Sequence, residues 1–418
     1  MAESPTYIAN YFDHIERVAA RDSHTVVFHF SEYNAEWAYR FGYGYYSAIV
    51  PRESEQLDRK NWRHVVGTGP FTLERYIQGN LQSYRARQDY WDQLELGGES
   101  HTIPFIDGVN YRIIKDRATA HAALRTANID ILEAIGWLMV DHLKESTPEL
   151  QWARILAMSA QALSLRVDQP PFDDIRVRRA LNLAINQREI AERFYGGNAM
   201  LMAHPQHPDF GEYFQPLEEM PETVQELFEY KPEKAKQLLA EAGYPDGFRF
   251  KVQVSANDPN TIGLIPLLDS YLNRVGVSVE IETLQYAAFL SMMTTRNHGP
   301  GYFHTAGHTN PTTSLRKNFT CGHLWNASGY CSPEFDEKML RTIQTRDEQE
   351  RVRLARELTI HALDSAAHIW LPVQYRYTAW WPWVKNYSGE LRAGAVRPGP
   401  IYARLWIDRE LKKEMGFE

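Results

Sequence analysis

Cysteine is nearly absent from this sequence of 418 residues, which contains only Cys321 and Cys331. Two cysteines ten positions apart are compatible with a small disulfide-closed loop in an oxidising compartment, and about equally with two unrelated buried thiols. A zinc pair is not expected, because nearby His323 does not complete a ligand pattern of the usual spacing.

Long hydrophobic runs and an excess of positive charge are also missing. No stretch approaches the roughly 18 consecutive apolar residues of a membrane-spanning helix, so we expect no span. The formal net charge of −8 argues against nucleic acid or an anionic membrane surface as a partner. The first 18 residues contain neither the basic segment nor the apolar core of a signal peptide, so we expect none in this sequence.

Recognisable catalytic motifs are missing as well, since the sequence contains no H-E-x-x-H and no G-x-S-x-G. Asp173 and Asp174 could act as an acid/base pair, but beside Arg176 they are more typical of a helix N-cap. His204 and His207 supply too few ligands for a metal. A hydrolase acting on a peptide or sugar through cleft carboxylates and histidines is the alternative to a binding function. A protein-interaction module has no specific support.

The most informative stretch begins with alternating apolar residues, which predict a strand over 160–167. Pro170-Pro171 keeps the following chain extended. Asp173-Asp174 then precede apolar residues at helical spacing, which predicts a capped helix. A second short helix over 187–194 ends at Gly196-Gly197, where glycine can adopt a left-handed conformation. This strand, loop and helix form one α/β step.

A second α/β step follows later in the chain. Phe248, Phe250, Val252 and Val254 alternate as a strand, an amphipathic helix is predicted over 262–275, and a further strand over 277–282. Such a βαβ unit indicates a partly parallel sheet covered by helices. Residues 299–331 are polar, rich in glycine and dotted with aromatics, and we interpret them as a long loop of the kind that often carries function.

Several segments, in the same order along the chain, resemble signature segments of the extracellular solute-binding proteins, family 5. This family includes the dipeptide-, oligopeptide- and nickel-binding components of ABC importers. The resemblance extends from about residue 12 to residue 410, and its motifs lie at 67–71, 172–186, 230–243, 332–336 and 369–372.

The resemblance implies an α/β fold of the periplasmic-binding-protein-like type II, two-lobed, with mixed sheets flanked by helices. The sequence starts inside the family layout, so we expect an N-terminally truncated member that lacks its N-terminal third. Residues 1–65 would be a remnant of domain II, 66–115 plus 375–418 parts of domain I, and 116–374 domain III.

The function implied by the resemblance is binding without chemistry. Such a protein captures a peptide, oligosaccharide or similar solute between two lobes, and the closed form delivers it to the transmembrane subunits of an ABC permease. We expect a monomer, a periplasmic or cell-envelope location, and no cofactor, metal or nucleic acid.

Ligand contacts are expected in the segment 299–331. Peptide-binding members place an aspartate before a proline and a helix to pair with the amino terminus of the peptide, and aligning on Pro311 puts Gly307 at that position. A buried ammonium without a counter-charge is costly, which favours a neutral or aromatic-stacking solute such as an oligosaccharide over a peptide with a free amine. Side chains able to stack or form neutral hydrogen bonds are Tyr302, Phe303, His304, His308, Asn310 and Trp325.

Overall fold

The structure is a computed structural model that describes residues 12–42, 48–58, 61–256, 259–307, 310–391 and 399–417. Its strands are β1 (Ile15–Asp22), β2 (Thr25–Phe30), β3 (Phe71–Ile77), β4 (Leu81–Ala86), β5 (Gln93–Leu96), β6 (Glu99–Thr102), β7 (Gly108–Arg112), β8 (Ile131–Ile135), β9 (Gln151–Leu156), β10 (Ser159–Leu165), β11 (Ala199–Met200), β12 (Phe248–Ser255), β13 (Val277–Leu284), β14 (Gly301–Gly307), β15 (His368–Trp370), β16 (Val373–Trp380), β17 (Val384–Lys385) and β18 (Trp406–Ile407).

From β10 to β15 the strands are separated by α-helices, whereas β3 to β7 follow one another without one. The α-helices are α1 (Trp37–Gly42), α2 (Arg117–Arg125), α3 (Val140–Ser146), α4 (Ile175–Ala184), α5 (Gln187–Glu189), α6 (Glu222–Gln225), α7 (Pro232–Glu241), α8 (Pro259–Asn273), α9 (Tyr286–Thr294), α10 (Pro311–Phe319), α11 (Pro333–Gln344), α12 (Glu348–Asp364), α13 (Gly399–Tyr402) and α14 (Arg409–Glu414). A π-helical turn, Ile190–Phe194, continues α5.

The chain divides into two compact units. Unit 1 consists of the described residues of Met1–Trp37 and Leu156–Tyr375, and unit 2 of those of Ala38–Ile155 and Arg376–Glu418. The finer assignment of segments to domains I, II and III stays a prediction. Within the described ranges, no helix combines the length and the apolar character needed to cross a bilayer.

Unit 1 is built on a mixed sheet. Its described strands follow the order β13-β12-β14-β10-β15, with β12 parallel to β13 and β14, and β10 antiparallel to β14 and β15. The parallel pair β12 and β13 is joined through α8, so the βαβ unit read from the sequence is confirmed.

Both faces of this sheet are covered. Leu163 and Leu165 of β10 lie in a core with α4, α7 and α8, whereas Ala160 and Ala162 lie in a second core with α10, α11 and α12. Successive residues of a strand point to opposite faces, so a central strand needs apolar or small residues at every position.

The capped helix α4 forms as its sequence predicts. The Asp174 carboxylate accepts a hydrogen bond from the Arg176 backbone N–H at 2.8 Å and forms an ion pair with the Arg176 guanidinium. These contacts hold the pKa of Asp174 below its ordinary value, with the Arg176 side chain as the largest cause. Gly196 and Gly197 both have positive φ, 57° and 74°, which explains glycine at the end of the following turn.

The interpretation of 299–331 as one long loop is wrong for residues 301–307 and 311–319, whereas residues 320–331 contain no helix or strand. Residues 301–307 form β14, a central strand of the sheet, and residues 311–319 form α10. The sequence does not reveal this strand, because Tyr302 and Phe303 are consecutive and both buried, one on each face of the sheet. The alternation of apolar and polar residues that marks a half-exposed strand is therefore missing. The helix begins with Asn310 as N-cap and Pro311 at its first position, a start signal that the sequence does contain.

Unit 2 contains smaller antiparallel sheets around an aromatic core. Strands β3, β4 and β7 form one sheet, and residues 377–380 of β16 pair with β8. Trp381 and Trp383 stack at 4.5 Å between ring centroids, and the indole N–H of Trp381 donates to the carbonyl oxygen of Leu124 at 2.8 Å.

Candidate functional site

A cavity of about 240 Å³ lies in unit 1, bordered by β14, α9, α10 and the segment that follows α10. Its wall is largely apolar and aromatic, with Tyr286, Phe289, Leu290, Met293, Tyr302 and Trp325. Ligand pockets for drug-sized molecules span about 300–1,000 Å³, so this cavity suits a small molecule or one end of a larger one.

Tyr302 and Phe289 form the back of the cavity. The two rings stack with centroids 4.2 Å apart, and the Tyr302 hydroxyl donates to the Phe289 carbonyl oxygen at 2.8 Å. Tyr302 has no exposed surface, and this burial raises the pKa of its phenol well above the ordinary value. Tyr302 therefore fixes the position of Phe289 at the cavity and offers no free hydroxyl to a ligand.

His304 belongs to a buried hydrogen-bonded group of three side chains. Ser164 Oγ lies 2.7 Å from His304 Nε2 and 2.7 Å from His368 Nδ1. A hydroxyl has one proton, so at least one of the two rings must donate to the serine oxygen. Burial lowers the pKa of both histidines to about 3, and both rings are neutral at neutral pH.

This group does not have the properties of a nucleophile and base. Ser164 has no exposed surface, and an imidazole with a pKa of about 3 is a weak base. Among the described residues, no carboxylate hydrogen-bonds to either ring to orient it. The three side chains fix the His304 ring at the cavity as a neutral polar group.

Lys317 is the one charged side chain among the described residues that border the cavity. It lies on α10, and its Nζ is 4.9 Å from the centroid of the Trp325 ring, a cation–π contact. Within the described part of the chain its ammonium forms no ion pair with a carboxylate, and desolvation lowers its pKa to about 8. Lys317 is therefore still mainly charged at pH 7, at an energetic cost.

Helix α10 is held in place by a buried carboxylate. Glu36 has no exposed surface, and its Oε1 accepts hydrogen bonds from the hydroxyls of Thr312 and Thr313, both at 2.8 Å. Arg316 Nη2 donates to Glu36 Oε2 at 3.1 Å. The first two turns of α10 are thus fixed from outside, which positions Lys317 at the cavity.

Trp325 is presented by a loop closed by a disulfide. Cys321 and Cys331 are bonded in the structure, and Trp325 lies between them in sequence. The Trp325 backbone N–H donates to His323 Nδ1 at 3.2 Å, which shapes the loop further.

The residues expected to contact a ligand are only partly brought together. Tyr302, His304 and Trp325 border the cavity, and Phe303 also borders it but is 1 % exposed and belongs to the core. Asn310 does not border the cavity and caps α10 instead, accepting from the Thr313 backbone N–H at 3.0 Å. His308 lies outside the described residues. The assignment of these six residues to ligand binding stays a prediction.

Gly307 is the last residue of β14 and pairs with Ser159. A Cβ atom at Gly307 would lie 2.5 Å from the carbonyl oxygen of Met158 and 2.7 Å from Cα of Ser159. This backbone leaves no space for a side chain, so an aspartate could not occupy the position without displacing β10.

The two histidines considered as metal ligands have structural contacts instead. The His204 ring packs on Trp370 in a tilted arrangement with ring centroids 4.3 Å apart, and His207 Nδ1 accepts from the backbone N–H of Asp209 at 3.2 Å. The described residues contain no group of three or more His, Cys, Asp or Glu side chains that could hold a metal ion.

Sequence reasoning missed most of the polar side chains at the cavity. Ser255 ends β12, Thr305 lies on β14, and Lys317 and Asn318 lie on α10. The Asn-Pro start of α10 was the available signal, because a helix beginning there places Lys317 two turns further along.

The mixed α/β fold is that of periplasmic binding proteins. The structure resembles the periplasmic binding protein DppA from Helicobacter pylori in complex with peptide STSA, with a TM-score of 0.79 and 23% identity over 98% of this chain and 77% of that chain. The chain belongs to the bacterial extracellular solute-binding proteins, family 5, whose middle-region sequence profile matches residues 2–323. Family membership and this fold, both predicted from the sequence, are confirmed.

Two curated relatives have names that state a bound solute. The chain is 27% identical over 353 residues to heme-binding protein A of Haemophilus influenzae, which covers 82% of this chain and 59% of the relative. It is 26% identical over 319 residues to the glutathione-binding protein GsiB of Salmonella typhimurium, covering 74% of this chain and 59% of the relative. The chain therefore spans about three fifths of the length of these relatives. Both are binding proteins by name and neither is named as an enzyme.

Proposed function

We propose that this chain is the solute-binding component of an ABC importer and that its solute binds at the cavity of unit 1. The observation that carries the proposal is the cavity itself, in a member of a solute-binding family. An apolar wall with a few convergent polar groups is the usual composition of a small-molecule site.

The polar groups support binding in preference to catalysis. His304 is neutral and is fixed by Ser164, Lys317 supplies a positive charge, and the aromatic wall supplies packing surface. Nothing among these described groups combines a nucleophile with a competent base. The solute is held by shape, stacking and charge, and it leaves the site unchanged.

The resemblance also supports a cell-envelope location, which is periplasmic in a bacterium with an outer membrane, and delivery of the solute to the transmembrane subunits of a permease. We further propose that the protein acts as a monomer. Peptide and oligosaccharide remain the solute classes that the resemblance favours. A peptide held through a free amine is disfavoured because Gly307 supplies no carboxylate and has no space for one.

The test measures the thermal unfolding temperature of the purified chain in the presence of each member of a library of bacterial solutes. Each solute is then recovered and its mass is measured by mass spectrometry. We expect a solute that raises the unfolding temperature, because a ligand that binds only the folded state stabilises it. That solute should be recovered chemically unchanged. A stabilising solute that is converted to product would contradict the proposal and favour an enzyme.

A further inference from the structure

The cavity contains a positive charge that the described protein does not neutralise. Lys317 borders the cavity, but no described carboxylate pairs with it, and the carboxylates of Glu36 and Asp336 are engaged elsewhere, with Arg316 and with the backbone N–H of Cys321. Lys317 is partly buried, and charges withdrawn from water in folded proteins are normally paired. An unpaired ammonium facing a cavity is therefore a candidate partner for a charge brought by the ligand.

The surroundings limit the ligand to a single negative charge. His304 beside Lys317 is neutral, and no other charged side chain among the described residues borders the cavity. One ammonium can balance one carboxylate, whereas a phosphate dianion would retain an uncompensated charge in a desolvated site.

The rest of the wall indicates an apolar or aromatic body. Phe289, Leu290 and Met293 line one side, and the Trp325 ring lies against Lys317. Aromatic and thioether side chains pack well on planar or hydrocarbon groups. A neutral sugar, by contrast, could hydrogen-bond to Ser255, Thr305 and Asn318 but would bring no negative charge to balance Lys317.

We propose that the cavity binds a monoanionic solute whose carboxylate pairs with Lys317 and whose apolar or aromatic body packs against Phe289, Met293 and Trp325. The proposal rests on the proposed solute-binding function and narrows its substrate class. It shifts the expectation from a neutral solute to an organic acid.

The test compares acids with their uncharged amides. Phenylacetate and 3-phenylpropionate are titrated by calorimetry at pH 7 against phenylacetamide and 3-phenylpropanamide, up to about 10 mM. The proteins are the wild-type chain, Lys317→Met, Lys317→Arg and, as a matched control, Lys236→Met, which removes an exposed lysine from α7.

We expect the wild-type chain and Lys236→Met to bind each acid at least about tenfold more tightly than its amide. Lys317→Met should bind the acid and the amide equally, and Lys317→Arg should retain a preference for the acid because it retains the charge. Equal binding of acid and amide by the wild-type chain would overturn the proposal. So would an unchanged preference in Lys317→Met, or no binding of either acid.

Failure of this inference can be told apart from failure of the proposed function. If the solute library yields a stabilising, unchanged solute whose affinity is the same in Lys317→Met, only the charge assignment is wrong. If acids bind in a Lys317-dependent manner but the solute is converted to product, the site assignment stands and the transport function is wrong.

Discussion

Replacing Lys317 by methionine should make the ligand-free protein more stable. In the unfolded chain the lysine has its ordinary pKa of 10.5, whereas desolvation lowers the pKa to about 8 in the folded protein. Folding at neutral pH therefore carries the cost of keeping a charged ammonium in a desolvated site. A difference of one pKa unit corresponds to about 1.4 kcal/mol, so lowering the pKa from 10.5 to about 8 corresponds to a cost of about 3 kcal/mol.

Methionine removes that cost with little change in shape. It has an unbranched side chain and a helix propensity close to that of lysine. The cation–π contact with Trp325, worth about 1 kcal/mol, is lost, and a thioether–aromatic contact of similar size can replace part of it. We expect Lys317→Met to raise the free energy of unfolding by about 2–3 kcal/mol at pH 7.

The dependence on pH identifies the cause. The folded pKa is the lower one, so between pH 8 and 10.5 the unfolded chain binds more protons than the folded one and the wild-type protein gains stability as pH rises. The advantage of the variant should fall to about 1 kcal/mol near pH 9.5. The other titratable groups near Lys317 are His204, His304, Tyr286 and Tyr302; both histidines have lowered pKa values and remain neutral over this range.

The assay is urea unfolding of ligand-free protein at pH 7 and pH 9.5, after the bound solute has been removed by unfolding and refolding. The comparison requires that the m value, the slope of the free energy of unfolding against urea concentration, agrees between the variants. Lys236→Met should change stability by less than about 0.5 kcal/mol. A loss of stability in Lys317→Met at pH 7, or a gain that does not change with pH, would refute the reasoning.

Three further variants, one of them with a matched control, test the contacts that hold the cavity residues in place. Glu36→Ala should lower the free energy of unfolding by about 3 kcal/mol in urea, because it leaves a partly buried arginine without its partner. Gly307→Ala should lower it by about 2 kcal/mol because its Cβ meets backbone. Gly299→Ala should change it little, because a Cβ there would meet only the Gln253 side chain, at an ordinary contact distance of 3.9 Å. The double variant Cys321→Ser/Cys331→Ser should lose about 2–3 kcal/mol under oxidising conditions through the larger entropy of its unfolded chain.

Each of these expectations has a contradicting result. A change below about 1 kcal/mol for Glu36→Ala would mean that the buried carboxylate does not hold α10. Equal stability of the Gly307 and Gly299 variants would mean that the end of β14 can move. Detection of two free thiols in protein from an oxidising compartment would contradict the disulfide between Cys321 and Cys331.

Local patterns predicted those parts of the fold in which a side chain acts on its own neighbourhood. The cap at Asp174, the positive φ of Gly196 and Gly197, and the strand–helix–strand unit from β12 to β13 follow from short-range spacing. In each of these places, local hydrogen bonding or backbone freedom decides the conformation.

The candidate site was harder to predict because its residues come together only through the sheet. Ser164 is 140 residues from His304 and 204 residues from His368 in sequence. The three side chains nevertheless meet, because strands β14 and β15 both pair with β10. The first three residues of β14, Gly301, Tyr302 and Phe303, are all buried, so no apolar–polar alternation marks the start of the strand. The unpaired charge of Lys317 is visible only when all surrounding groups are known.

The most direct test is native mass spectrometry of the chain purified from bacterial cells, beside Lys317→Met prepared identically. We expect the wild-type chain to carry one solute per molecule, the released solute to be a carboxylic acid, and the variant to carry little or none. A neutral or cationic solute, or the same occupancy in both proteins, would contradict the proposal that this cavity captures an organic anion through Lys317.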